Sequence, residues 1–258
     1  MAIILFPSVF AKSYPSECAM FFLATVTPFY AFEQSDTVGR FIVLILAVLS
    51  TLSWTLFVDR FLYLKGLKMQ VTSFLEFYEM VSGPGDVFSQ LKNHHGPLVA
   101  VTNAGLTAIA ELHQLPPTDL AAQIRRTGIP EGMSTADIDR IDSAMEKQLD
   151  LEILEMERHL STIGTVVSVS PFLGLLGTVW GVMMAFCGMA AKGQPDINSL
   201  APGVSGALLT TVVALLVAIP SVWSYNYLSN KIRHISVEME GYSAEFLSRV
   251  RVASQLDN

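Results

Sequence analysis

Charge is what this chain has least of. Asp, Glu, Lys and Arg make up 15% of its 258 residues, against about a quarter in soluble domains, so it is short of the groups that hold a surface in water. Residues 41–58, 160–191 and 197–230 carry no Asp, Glu, Lys, Arg or His. That profile excludes a soluble enzyme and a disordered chain. Cations are scarce as well, 16 against 23 acids for a net charge of -7, and nucleic acid binding would require clustered Lys and Arg. Cysteine is nearly missing: Cys18 and Cys187 match no disulfide framework and no zinc spacing. His94, His95, His113, His159 and His234 are scattered without helical ligand spacing, so no metal site and no cofactor are expected. Strand alternation and any repeat of 20–50 residues are also missing.

What the chain has is apolar mass: 51% hydrophobic residues and a mean hydropathy of +0.46. A hydrocarbon core about 30 Å thick needs roughly 20 helical residues. The first charge-free run has 18 residues, just enough to span; the second has 32 and the third 34, more than one crossing and fewer than two. Each predicts one helix, with spans at 40–62, 162–190 and 203–228. The fold class is an all-α membrane protein: three transmembrane helices with long cytoplasmic helical extensions.

Orientation follows from Lys and Arg at the span ends. Arg60, Lys65 and Lys68 follow the first span, whereas Arg40 and distant Lys12 precede it beside Glu33 and Asp36. Lys192 is the one cation between the second and third spans, and Lys231, Arg233, Arg249 and Arg251 come after the third. These flanks agree on an N-terminal extension (1–36) outside or interfacial, a first transmembrane helix (37–64) and a cytoplasmic helical region (65–160). A second transmembrane helix (161–191), an external hairpin (192–202), a third transmembrane helix (203–230) and a cytoplasmic tail (231–258) complete the layout. The extension holds an apolar patch from Cys18 to Phe32, broken by Pro28, without the basic start of a signal peptide. Met20 is a second candidate start.

Within 65–160, Leu67 to Met80 reads as a helix continuing out of the membrane, broken at Gly83-Pro84-Gly85. A second helix covers Pro97 to Leu115, before Pro116-Pro117. Ser134 and Asp137 have the spacing of a capping box. After them Ile138, Ile141, Met145, Leu149, Ile153, Met156 and Leu160 recur at three- and four-residue steps, an amphipathic helix. Glu146, Asp150, Glu152, Glu155 and Glu157 occupy its other face as a solvated surface. No breaker separates it from the second span, so helix and span are expected to form one rod.

The second and third spans are rich in small and hydroxyl residues. Gly174, Gly177, Gly181, Gly203 and Gly206, with Pro171 and Pro220, are assigned to helix packing, since small residues let backbones approach in lipid. Thr165, Ser168, Ser170, Thr178, Ser205, Thr210, Thr211 and Ser221 either bond their own helix carbonyls or form a polar seam between helices. No titratable group lies inside the span cores, so a proton conducted here needs an acid from a partner. Gly203-Val204-Ser205-Gly206 has the form of an intramembrane serine protease motif, a remote alternative through Ser205. It lacks a histidine base inside the bilayer, and Ala207 breaks the soluble nucleophile-elbow pattern.

The string Ser170-Pro171-Phe172-Leu173-Gly174-Leu175-Leu176-Gly177-Thr178-Val179-Trp180-Gly181 resembles the signature of the TolQ/ExbB/MotA proton-channel family. Ala201-Pro202-Gly203, Ala207-Leu208-Leu209-Thr210-Thr211, Ala218-Ile219-Pro220 and Tyr225-Asn226 are similar to its third span. Ser53-Trp54 with Arg60 resembles the end of its first, and Glu152, Glu155 and Glu157-Arg158-His159-Leu160 resemble its helix entering the second. The resemblance covers residues 37 to 245. It implies a bacterial inner-membrane stator: a homo-oligomeric, pentameric ring around a TolR- or ExbD-like single-span partner whose aspartate takes the proton. A TolA- or TonB-like protein would receive the work. A proton path would follow Thr178 and Thr211, at the family's threonine positions, with Thr210 and Ser205 beside them. A TolQ-like role in envelope integrity and cell division is the first reading, and an ExbB-like role in energising TonB-dependent uptake the alternative. One departure stands out. Where TolQ and ExbB members hold a glutamate, this chain has Gly206; the resemblance implies that it faces the pore, the alternative being that it packs against a neighbouring backbone.

Overall fold

The computed structural model describes residues 32, 35–81, 87, 91, 94–113, 133–193 and 197–255. Its elements, among these residues, are five helices: α1 (Thr37–Met80), α2 (Pro97–Leu112), α3 (Thr135–Glu157), α4 (Leu160–Lys192) and α5 (Ile197–Gln255). Three of them, α1, α4 and α5, are long and apolar enough to cross a membrane, and the expected spans fall inside them. The expected breaks in the N-terminal extension and at Gly83-Pro84-Gly85, and the stretch around Pro116-Pro117, lie outside the described residues.

The chain divides into two compact units, one comprising residues 1–55 and 162–223 and the other 56–161 and 224–258. In the first unit the usual distribution of side-chain size is reversed. Its interior is a modest cluster of Ile42, Leu46, Val166, Ala214 and Val217, flanked by Val38, Leu49, Leu173 and Val213. The large apolar side chains point outward: Phe41, Leu44 and Val48 on α1, Phe172, Leu175 and Val179 on α4, Val212, Leu216 and Ile219 on α5. Water does not tolerate so continuous an apolar surface, and lipid does. This chain is a multi-pass membrane protein.

The second unit has an ordinary core. On α1 the buried residues are Leu64, Leu67, Val71, Phe74 and Tyr78; on α5 they are Leu228, Ile232, Ile235, Met239, Tyr242, Phe246 and Val250. Both series advance by three and four residues, the period of a helix burying one face. Tyr242 packs edge-on against Phe74 and Tyr78, with centroids 5.3 and 4.8 Å apart, and shares a 2.6 Å hydrogen bond with Thr102 on α2. Lys68 pairs with Glu238. The two helices therefore run parallel here. Residues 231–255, read from sequence only as a tail, continue α5 without a break.

The amphipathic α3 buries Ile138, Ile141, Met145, Leu149 and Met156. Its N-terminus carries the expected capping box: the Ser134 side chain accepts from the Asp137 N–H, and the Asp137 carboxylate accepts from Ser134 N–H. That pair satisfies two otherwise orphan donors. The Ser134 hydroxyl, and after it the Ser134 N–H, donate to the Asp137 carboxylate and hold that carboxyl below the usual carboxylate range. Met145 fills the space left by Gly105 of α2, where a Cβ would meet Met145 Sδ at 2.9 Å. Helix α2 ends at Leu112, a turn short of the expected Leu115.

The expectation of a single rod through α3 and α4 is corrected. Arg158 leaves helical geometry at φ -51°, ψ 135°, and His159 adopts φ 67°, the left-handed region that non-glycine residues seldom enter. The chain thus turns between Glu157 and Leu160 without glycine or proline. Part of the cause is visible in Arg60, a buried cation whose Nη1 donates to the Glu155 carbonyl at 3.2 Å. A guanidinium on the last turn satisfies a carbonyl left open where the helix stops and favours the negative end of its dipole.

Candidate functional site

The site lies in the first unit, where α4 and α5 meet through small residues. A Cβ placed on Gly174 would come within 2.5 Å of Ala214 Cβ and 3.1 Å of Thr211 Cα. On Gly177 it would lie 2.3 Å from Thr210 Oγ1, and on Gly181 2.6 Å from Ala207 Cβ. The order 174–214, 177–210, 181–207 is that of antiparallel helices in contact at the backbone, the approach that only small residues allow. Gly203 is looser, with Ala185 Cβ at 3.0 Å. Pro171 and Pro220 lie inside helices α4 and α5. Each adjoins a buried serine that bonds back to its own helix: Ser170 to Val166 O at 2.7 Å and Ser221 to Val217 O at 2.8 Å.

That contact brings together three of the four residues of the expected proton path. The Thr178, Thr210 and Thr211 hydroxyls all donate to one acceptor, the Gly174 carbonyl, at 3.3, 3.3 and 3.0 Å. Thr178 comes from α4 itself and also reaches Leu175 O at 2.8 Å. Thr210 and Thr211 reach across from α5, Thr210 dividing its hydroxyl with Ala207 O at 2.7 Å. Because glycine has no side chain, the Gly174 carbonyl is open to the neighbouring helix. The result is a polar knot within an otherwise apolar helix pair. Ser205 lies outside it, exposed on α5, and Ser168 bonds only its own helix, at Gly164 O.

A second polar seam ties α1 to the same pair. Ser53 and Ser221 share a 2.9 Å hydrogen bond, both buried. At the start of α1, Asp36 caps the helix by accepting from Gly39 N–H at 2.8 Å, and its other oxygen accepts from the Trp180 indole N–H, also at 2.8 Å. Beside it a cavity of about 190 Å³ is lined by Gly177, Gly181, Met184, Gly203 and Gly206 among others. Sequence reasoning missed Asp36. It stands 144 residues from Trp180, and its one sequence signal was an acid at a helix start.

Gly206 packs against the segment that precedes α1. It is buried; a Cβ there would lie 2.9 Å from Ser35 Oγ and 3.0 Å from Ser35 Cα, and Ser35 Oγ donates to Gly206 O at 3.3 Å. The absence of a side chain at 206 is what lets the backbone before α1 settle against α5.

Nothing in this arrangement supports the protease alternative. Ser205 is in the first unit, whereas all five histidines fall in the second. Among the described residues no group of three His, Cys, Asp or Glu side chains is placed to hold a metal ion.

Residues 117–241 match the profile of the MotA/TolQ/ExbB proton channel family. The chain is 28% identical to the Tol-Pal system protein TolQ of Haemophilus influenzae over 218 residues, 83% of this chain and 90% of that protein. It is 27% identical to the biopolymer transport protein ExbB of Pseudomonas putida over 234 residues, 90% of this chain but 65% of that longer protein. A shorter stretch of 89 residues is 39% identical to ExbB of Salmonella typhimurium, covering 34% and 35% of the two chains. With three apolar spans, a glycine–threonine contact between two of them, and TolQ and ExbB relatives aligned along most of its length, this protein is similar to the MotA/TolQ/ExbB family, whose profile matches just under half of the chain.

Proposed function

We propose that this protein is a proton-channel subunit of the bacterial inner membrane, coupling the protonmotive force to mechanical work on the cell envelope. It acts as a homo-oligomeric ring, a pentamer by family analogy, around a TolR- or ExbD-like single-span partner, and passes the work to a TolA- or TonB-like protein. The observation that carries this reading is the convergence of the Thr178, Thr210 and Thr211 hydroxyls on the Gly174 carbonyl. Each hydroxyl is a donor and an acceptor that rotates to suit, so the knot has the chemistry of a relay. No described titratable side chain accompanies it inside the α4–α5 contact, so the partner supplies the acid. Each proton crossing yields about 2.3 kcal/mol per 100 mV. The chain lies with residues 65–160 and the C-terminal end of α5 in the cytoplasm, as the Lys and Arg flanks require.

A TolQ-like role is favoured by the alignment spanning 90% of a TolQ protein. The ExbB-like role, energising TonB-dependent uptake, is the second reading, favoured by the alignment with an ExbB over 90% of this chain. Proton flux in liposomes reconstituted with the partner tests the shared part. Thr211→Ser keeps the hydroxyl and is expected to conduct; Thr211→Val keeps the volume, loses the hydroxyl, and is expected to cut flux at least tenfold with the oligomer intact. Thr178→Ala should reduce flux too. Undiminished flux in Thr211→Val would show that these hydroxyls serve packing alone.

A further inference from the structure

The ends of the apolar parts of α1 and α5 form a groove that the proton path does not use. Its cavity is about 290 Å³ and is lined by Phe61, Leu64, Met69, Tyr227 and Leu228, with Lys65, Lys68 and Lys231. The two helices repeat one pattern. Phe61 and Lys65 on α1 are four residues apart, as are Tyr227 and Lys231 on α5, so each helix presents an aromatic ring and, one turn further on, an ammonium on the same face. The rings form a single wall: Phe57, Phe61 and Tyr227 stand with centroids 5.9 to 6.4 Å apart. Lys68 is neutralised by Glu238. Among the described residues Lys65 and Lys231 have no carboxylate partner, which leaves two uncompensated positive charges at the rim.

We infer that this groove binds the headgroup of an anionic phospholipid, its phosphate between Lys65 and Lys231 and the first part of its acyl chains along Phe61, Leu64 and Tyr227. Positive flanks alone would scatter lysines around the helix ends. Here they converge from two helices over an apolar slot, at the level where the apolar run of each helix gives way to charge. Aromatic rings favour the same boundary, being apolar in body and tolerant of the headgroup region. An acidic peptide would match the lysines but not the apolar wall that leads away from them into the span. The inference rests on the membrane reading proposed above but not on proton conduction, and lipid retention is measured without a gradient, so failure of one leaves the other standing.

The test is native mass spectrometry of the full-length protein from nanodiscs containing equal parts phosphatidylglycerol and phosphatidylethanolamine, with the oligomer size read in the same spectra. The wild type should retain phosphatidylglycerol preferentially. A lysine near an anionic surface contributes about 1 kcal/mol, so Lys65→Gln and Lys231→Gln should each lower that preference about fivefold, and the double variant more than tenfold. Arg233→Gln, a neighbouring cation outside the groove, should leave it unchanged. Excess inorganic phosphate should displace little, because it cannot occupy the apolar slot. The inference is overturned by equal retention of both lipids, by Arg233→Gln acting like Lys231→Gln, or by full displacement with phosphate. A change in oligomer size without a change in lipid retention overturns it also, since the lysines would then serve a contact between subunits.

Discussion

Replacing Gly177 by alanine tests whether the α4–α5 contact is as close as its geometry states. The added Cβ would stand 2.3 Å from Thr210 Oγ1 and 2.7 Å from Thr210 Cβ, where non-bonded carbon atoms settle at about 3.5–4.0 Å. Relief requires the helices to part by about 1 Å or the threonine to leave its rotamer. Parting by that amount carries the Thr211–Gly174 and Thr210–Gly174 bonds, now 3.0 and 3.3 Å, beyond hydrogen-bond range. Overpacking costs about 1–3 kcal/mol, and two interhelical bonds in a membrane add about 0.6 kcal/mol each. Alanine's better helix propensity returns about 1 kcal/mol, leaving a net loss of about 1–3 kcal/mol. Gly188 is the matched control, because nothing lies within 4 Å of a Cβ built there; Gly188→Ala should be neutral or slightly stabilising. Both variants are compared by SDS titration in mixed micelles, following helicity by circular dichroism. A second substitution, Thr210→Gly, empties the contested space and should recover the steric part of the loss. An unchanged midpoint in Gly177→Ala, or an equal drop in Gly188→Ala, would refute the close contact.

Three further outcomes are expected. In a background lacking Cys18 and Cys187, cysteines at Ser89 and Ser248 should resist an impermeant thiol reagent in intact spheroplasts, and labelling of either from outside would reverse the topology. Gly206→Glu should displace the Ser35 backbone and lower oligomer yield, and a normal oligomer with wild-type flux would show that the segment before α1 gives way freely. Burial raises the Tyr78 phenol to about 12 and pushes Tyr242 up further. The unfolded chain therefore loses these protons first, and stability, full below pH 10, should fall as pH rises from 10 through 12. Tyr78→Phe with Tyr242→Phe should flatten that fall in an alkaline melt, and an unaltered profile would assign it to other groups.

The three spans were legible because charge-free length is a direct consequence of bilayer thickness, independent of how helices pack. The α3 cap was legible for a similar reason: Ser134 and Asp137 interact within one turn. Elements decided by distant partners were not. The turn at Arg158 and His159 has no glycine or proline to announce it, and the Arg60 contact at Glu155 comes from 95 residues away. The helical tail did carry a signal, the series Ile232, Ile235, Met239, Tyr242, Phe246 and Val250, overlooked beside the stronger apolar run before it. At the site, sequence picked out Thr178, Thr210 and Thr211 as residues but not their common acceptor, because a shared carbonyl depends on the rotation and register of two helices. Gly206 shows the same limit: its contact with Ser35 comes from 171 residues away.

The glycine ladder between α4 and α5 also has a mechanical consequence. Long interlocking side chains yield under load, because rotamers can shift before backbones do. At Gly174 and Gly181 the facing atoms are alanine Cβ and main-chain atoms, which have no rotamers to spend. Such a joint is stiff against compression, in the way close-packed interiors are. A force reaching one of these two segments is handed to the other with little lost to deformation, so any working stroke has to be taken up at a softer boundary than this one.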